Sequence, residues 1–185
     1  MRLKTPREKR ILYIKTTVRW FLYLVLILLC FTAMTTGSWT KPILLVPVAL
    51  CIAISNDTMI SAYTGAFCGF MIDIACGRLF GYNAVLLTIF CAAVSLVHEL
   101  YLRKKFFNYL WITALVSFLQ CWLDYKFYYE MWDYPDVERI FHSITMKVWI
   151  YTVISSVVIY IIFAVINKFL MPKEHLTIEE VIRTN

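Results

Sequence analysis

The sequence has few of the residues that build reactive sites. Its three histidines are scattered, and its six cysteines form no Cys-x-x-Cys pair and have no histidine at metal-ligand spacing. Neither Gly-x-Ser-x-Gly nor His-Glu-x-x-His occurs, and no aspartate cluster could hold Mg²⁺ against a lipid pyrophosphate. These absences argue against the common hydrolase, metalloprotease and pyrophosphate chemistries. We therefore expect no enzyme, no cofactor and no metal site.

Charged residues are also scarce. They make up 16% of the 185 residues, whereas 61% are hydrophobic, and the mean hydropathy is +0.70. A soluble domain does not need so apolar a composition, so the chain is expected to lie in a bilayer. The net charge of +6 comes mainly from seven basic residues among the first nineteen, directly before an apolar run. This arrangement indicates membrane orientation rather than nucleic-acid binding, so no nucleic-acid partner is expected.

Six apolar segments follow one another, and they cover residues 20–36, 42–54, 59–74, 82–97, 107–123 and 148–170. We predict an all-α membrane protein, a six-transmembrane-helix bundle at 20–170, with an architecture like that of S-component bundles. The flanking parts are a basic cytoplasmic N-terminus at 1–19 and a short cytoplasmic tail at 171–185. The second segment rises only about 20 Å, against a hydrocarbon core of about 30 Å. Pro47 should kink it, and a re-entrant hairpin is an alternative.

The distribution of basic residues distinguishes five spans from six. Lys and Arg near helix ends prefer the cytoplasmic side. Six spans place thirteen of them inside and five outside, whereas five spans would divide them eleven to seven and turn 103–105 outward. We therefore expect six spans, with both termini in the cytoplasm.

Small residues recur at every fourth position through the third segment and the turn that follows it. The series is Ser61, Gly65, Gly69, Asp73, Gly77 and Gly81. On a helix the first four form one ridge, because side chains four residues apart lie on the same face. Glycines on such a ridge allow another helix to approach closely, which matters in lipid because van der Waals packing drives helix association. The series therefore predicts a helix-packing or interaction surface.

Asp73 is the one acid within the six segments. It lies about 21 Å along the third helix, near the outer interface, so its carboxylate can snorkel toward water. Either Arg78 on the following turn neutralises it, or it has a role in packing or in binding a partner. Gly77 and Gly81 bracket that turn, and we expect them to supply the backbone freedom of a tight reversal.

The stretch from Gly65 to Ala84 resembles the G-x-x-x-G-x-x-x-D, then G, then L-G-x-x-A signature of the rod shape-determining MreD family. The length, the basic N-terminus and the six apolar segments fit this family over the whole chain. The resemblance implies a non-enzymatic membrane scaffold of bacterial cell elongation and lateral peptidoglycan synthesis, located in the bacterial cytoplasmic membrane. It also implies MreC as a partner and, through MreC, the MreB filament, RodA and a class B penicillin-binding protein. Anionic lipid is expected at the basic N-terminus.

Two alternatives remain open from the sequence. The chain could be a substrate-binding S-component-like subunit of a vitamin importer, although its first segment lacks the paired small residues of such subunits and offers only Ala33. The expected outer connection, 124–147, interleaves acids with aromatic residues. It could bind a sugar or a cation, or it could be the aromatic belt of a helix that leaves the bilayer.

Overall fold

The structure, a computed structural model, describes residues 6–36, 42–77, 79–101, 106–132, 139 and 141–170. Its helices are α1 Pro6–Thr35, α2 Leu45–Ser55, α3 Thr58–Cys76, α4 Tyr82–Leu100, α5 Phe106–Tyr128 and α6 Met146–Leu170. A 3₁₀ turn, Glu130–Trp132, and a π-helical turn, Phe141–Thr145, lie between α5 and α6. Five helices are long and apolar enough to cross a membrane, and α2 is shorter. The predicted all-α, six-helix membrane bundle is confirmed, and the described residues contain no strand.

The short helix α2 lies in the middle of the bundle. Every residue from Leu45 to Ala53 is buried, and α2 contacts each of the other five helices. A helix that is apolar on all sides can be enclosed in this way without burying an unpaired polar side chain. Pro47 lies in its first turn, where backbone N–H groups have no acceptor within the helix. It therefore removes no helical hydrogen bond, and the reason for expecting a kink there disappears.

Hydrogen bonds near the two ends of α2 show how far it travels. The backbone N–H of Ile43 donates to Thr152 Oγ1 at 2.9 Å, and the Asn167 side-chain amide donates to Ser55 Oγ at 3.3 Å. Both of these partners lie on α6, about 22 Å apart along that helix at 1.5 Å per residue. The segment therefore runs parallel to α6 from one side of the bundle toward the other. A re-entrant hairpin would return to the side on which it started.

The connections between helices define two ends of the bundle. The end that holds the α2–α3 turn, here called the Asn56 end, also holds contacts from the middle of α1. Arg19 Nη2 donates to Asn56 Oδ1 at 3.5 Å, and the hydroxyl of Tyr23 donates to Asn167 Oδ1 near the end of α6. The α3–α4 turn lies at the opposite end, here called the Gly77 end. Six crossings thus bring the start of α1 and the finish of α6 to the same end.

The structure bears on the expected outer connection, 124–147, whereas the limits of the flanking segments stay predictions. Helix α1 begins at Pro6, within the basic segment 1–19, whereas 171–185 lies outside the described residues. Helix α5 continues to Tyr128, and Asp124, assigned above to a loop, is only 4% exposed. The acid interrupts the apolar run but not the helix, whose last turns are held by aromatic packing on Tyr82 and Phe141. The acids at 133, 136 and 138 lie outside the described residues.

Candidate functional site: the α3–α4 hairpin

The first four members of the small-residue series lie on one buried ridge of α3. Ser61, Gly65, Gly69 and Asp73 are all buried. At the Asn56 end, Ser61 Oγ lies 2.9 Å from the carbonyl oxygen of Asp57 and 3.2 Å from that of Ala53. A hydroxyl in this position ties the beginning of α3 to the last turn of α2. The ridge therefore joins α3 to its neighbours at both ends.

The two glycines in the middle of the ridge bring α3 against the backbone of α4. A Cβ atom added to Gly69 would lie 2.4 Å from the Cα of Ala84 and 2.5 Å from the carbonyl oxygen of Asn83. At Gly65 it would lie 2.7 Å from the carbonyl oxygen of Leu87. Side chains larger than hydrogen would therefore force the two backbones apart. Ala84, itself 3% exposed, is the small residue on the facing side.

Asp73 caps the beginning of α4. Its carboxylate accepts hydrogen bonds from the backbone N–H of Gly81 at 2.8 Å and of Asn83 at 3.2 Å, and from Asn83 Nδ2 at 2.9 Å. An anion at a helix N-terminus satisfies backbone donors that lack helical acceptors and interacts favourably with the helix dipole. Asp73 is 1% exposed, so it does not snorkel toward water, although its depth would allow it. The bonds available within the hairpin hold the carboxylate inside.

The turn between the helices depends on two glycines with positive φ. Gly77 ends α3 with φ 60°, and Gly81 precedes α4 with φ 99°. This region of backbone space is costly for residues with a Cβ atom, which accounts for glycine at both positions. The backbone N–H of Leu79 donates to the hydroxyl of Tyr128 at 3.1 Å, so the end of α5 supports the turn. Arg78 lies outside the described residues, and its pairing with Asp73 stays a prediction.

A chain of hydrogen bonds extends this site from α3 and α4 to α5. Gln120 Nε2 donates to Asn83 Oδ1 at 2.8 Å, and Asn83 in turn donates to Asp73. Gln120 and Asn83 are both completely buried. Three helices are therefore joined by a polar network inside an apolar bundle, where each such bond excludes alternative packings.

The site's chemistry is that of packing and capping. The Asp73 carboxylate already accepts three hydrogen bonds and is enclosed, so it offers no open face to a reacting group. Among the described residues, no group of three or more His, Cys, Asp or Glu could hold a metal ion. The geometry matches a helical hairpin built for close contact.

Comparison with known families gives a match that includes the hairpin. The family model described as rod shape-determining protein MreD matches residues 9–173. The chain belongs to the MreD family. The sequence-based assignment is thereby confirmed, and involvement in rod shape determination follows from it. No curated protein and no solved structure matches the chain.

Within this MreD-family chain, the motif that carried the resemblance is the α3–α4 hairpin itself. Gly65 and Gly69 allow the close helix contact, Asp73 caps α4, and Gly77 and Gly81 turn the backbone. Each of these motif positions therefore has a structural role. That the same residues also contact a partner stays a prediction.

Sequence reasoning missed the two amides of this MreD-family network, Asn83 and Gln120. A signal for Gln120 was available, because α5 carries polar residues at helical spacing on its buried face, namely Thr113, Ser117, Gln120 and Asp124. Such a stripe in an apolar segment indicates a face turned toward other helices rather than toward lipid. Its partner on α4 could not be read from spacing, because 37 positions separate Gln120 from Asn83.

Proposed function

We propose that this MreD-family chain is a non-enzymatic membrane scaffold of the bacterial elongation machinery. The observation that carries the proposal is that hydrogen bonds within the bundle occupy the Asp73 carboxylate. The acid of the family-like motif accepts three hydrogen bonds within the α3–α4 hairpin, so its role is to shape the bundle. A bundle of fixed shape, with lipid-facing surfaces left for other membrane proteins, suits a scaffold.

The partners that we propose are MreC and, through it, MreB, RodA and a class B penicillin-binding protein. The family assignment supports this set, because rod shape depends on where the wall is extended and MreD-family chains take part in shape determination. The outer faces of the helices present large apolar side chains, including Tyr63, Phe107 and Trp111, each more than 70% exposed. In a bilayer such faces meet either lipid or the helices of other membrane proteins.

We further propose that the protein lies in the cytoplasmic membrane with the Asn56 end and both termini in the cytoplasm. The distribution of Lys and Arg, thirteen against five, supports this orientation. A single cysteine placed at position 104, in a background without other cysteines, should react with an impermeant thiol reagent only after the cells are opened. A cysteine at position 139 should react in intact cells. The reverse pattern would show that the orientation is wrong.

Depletion of the protein tests the scaffold function in cells. Rod-shaped cells that lose it are expected to become round or stop growing, and wild-type protein supplied from a plasmid should restore the rods. Uptake of individual vitamins, measured in the same depleted cells, should be unchanged. Cells that stay rod-shaped while they lose uptake of one vitamin would instead support the importer alternative.

A further inference from the structure

Arg19 of α1 is held in a fixed position at the Asn56 end of the bundle. It directly precedes the apolar run of α1 and is half-buried. Its Nη2 donates to Asn56 Oδ1 at 3.5 Å, and its guanidinium carbon lies 5.9 Å from the centre of the Tyr23 ring. Asn56 is fixed in turn, because its Nδ2 donates to the carbonyl of Ile52 at 2.8 Å and its own carbonyl accepts from Ser95 Oγ at 3.1 Å. The charge is therefore positioned by α2 and α4 as well as by α1.

Among the described residues, no carboxylate forms an ion pair with Arg19 within 4 Å. Its hydrogen bond to the neutral Asn56 amide is long, and its Nε atom is buried without a hydrogen-bond partner. A guanidinium has five N–H donors, and one amide oxygen uses a single one of them. A charge at the edge of the hydrocarbon region is costly unless an anion accompanies it. Arginine suits phosphate in particular, because its planar fork can donate two parallel bonds.

A second cation lies on the same face of α1. Lys15 precedes Arg19 by four residues, about one helical turn, so the two side chains lie one above the other. Lys15 is exposed. Val18, between them in the sequence, is 42% exposed and apolar. Arg10, nine residues before Arg19, points about half a turn away, because each residue rotates the helix by about 100°. One face of α1 thus combines two cations with an exposed apolar surface.

We infer that Arg19 and Lys15 bind the phosphate group of an anionic phospholipid at the Asn56 end of the bundle. The two cations supply the charge, Asn56 and Tyr23 orient the guanidinium, and the apolar surface beside Val18 receives part of an acyl chain. This surface favours a lipid over free phosphate. The inference rests on the proposed cytoplasmic placement of the Asn56 end, and it assigns the anionic lipid expected at the basic N-terminus to particular residues.

Native mass spectrometry of the full-length protein tests the site. Wild-type protein in detergent micelles is titrated with phosphatidylglycerol and, separately, with phosphatidylcholine. Arg19→Gln should bind phosphatidylglycerol about tenfold more weakly, the loss expected for one charge-assisted contact. Arg10→Gln removes the same charge from the opposite face and should bind as wild type does. Lys15→Gln alters an exposed side chain and should also weaken binding. This variant still tests the site if Arg19→Gln does not fold.

Three outcomes would overturn the inference. Equal weakening by Arg10→Gln would mean that net charge, and not a site, attracts the lipid. Equal affinity for phosphatidylcholine would remove the anionic requirement. Displacement of phosphatidylglycerol by inorganic phosphate at equal concentration would assign the site to free phosphate. The assay contains no partner protein, so a negative result would leave the proposed scaffold function standing.

Discussion

Gly69→Leu is expected to lower the free energy of unfolding by about 3 kcal/mol, near the top of the usual range for overpacking. The Cβ atom alone would lie 2.4 to 2.6 Å from three backbone atoms of Asn83 and Ala84. Backbone atoms cannot rotate away as the end of a long side chain can, so α3 and α4 must separate. Separation also strains the bonds from Asp73 to the start of α4. Unfolding of the purified protein by sodium dodecyl sulfate in mixed micelles measures the change.

Gly77→Asn is the matched control for this substitution. Gly77 has φ 60° and no described atom within 4 Å of an added Cβ, and asparagine tolerates the left-handed region better than other residues with a Cβ. Its effect should stay below about 1 kcal/mol, the lower end of the usual cost of the left-handed region for a residue with a Cβ atom. Gly69→Ala should lie between the control and Gly69→Leu. Equal stability of Gly69→Leu and wild type, together with full restoration of cell shape, would contradict the packing account.

Asp73→Asn and Asp73→Ala are each expected to destabilise the bundle by about 2 to 3 kcal/mol. Alanine leaves three donors without an acceptor: the half-buried backbone N–H of Gly81, and the buried backbone N–H and side-chain amide of Asn83. Asparagine keeps one acceptor oxygen but turns an NH₂ group toward a donor. Both remove the negative charge from the helix N-terminus, so the two variants should differ little. The same unfolding assay applies, and recovery of MreC with either variant should fall in parallel with stability.

The control for the charge is Asp57→Asn at the other end of the same helix. Asp57 precedes α3, is exposed, and makes no side-chain capping bond there. The substitution should change stability by less than about 0.5 kcal/mol. If Asp73→Asn were as stable as Asp57→Asn, the capping role of Asp73 would be excluded. If it were stable yet lost MreC, Asp73 would have to act on the partner directly.

The sequence was sufficient to predict the helices and the ridge because both depend on short-range pattern. Apolar runs of about one membrane thickness have few alternatives to a helix, since lipid offers no partner for free backbone groups. Residues four apart share a helix face whatever surrounds them, so Ser61, Gly65, Gly69 and Asp73 were placed on one ridge in advance. The family signature came from the same stretch.

Other features depend on contacts between distant segments and were therefore beyond local pattern. The position of Asp73 near the end of α3 allowed its carboxylate to reach water. The sequence could not show that backbone N–H groups of α4 would bind it instead. The five other helices enclose α2, and this enclosure could not be predicted from the length and composition of the segment alone. The predicted end of α5 was too early because the charge of Asp124 lowers the local hydropathy. The burial of Asp124 in the bundle cannot be seen from hydropathy.

Capture of neighbours in native membranes tests the scaffold claim most directly. An affinity-tagged wild-type chain is crosslinked in intact cells and purified, and the captured proteins are identified by mass spectrometry. A six-helix membrane protein of unrelated function, tagged and expressed at the same level, serves as the control. The account predicts enrichment of MreC, with other elongation proteins, over that control. Enrichment of transporter ATPases without any elongation protein would contradict it.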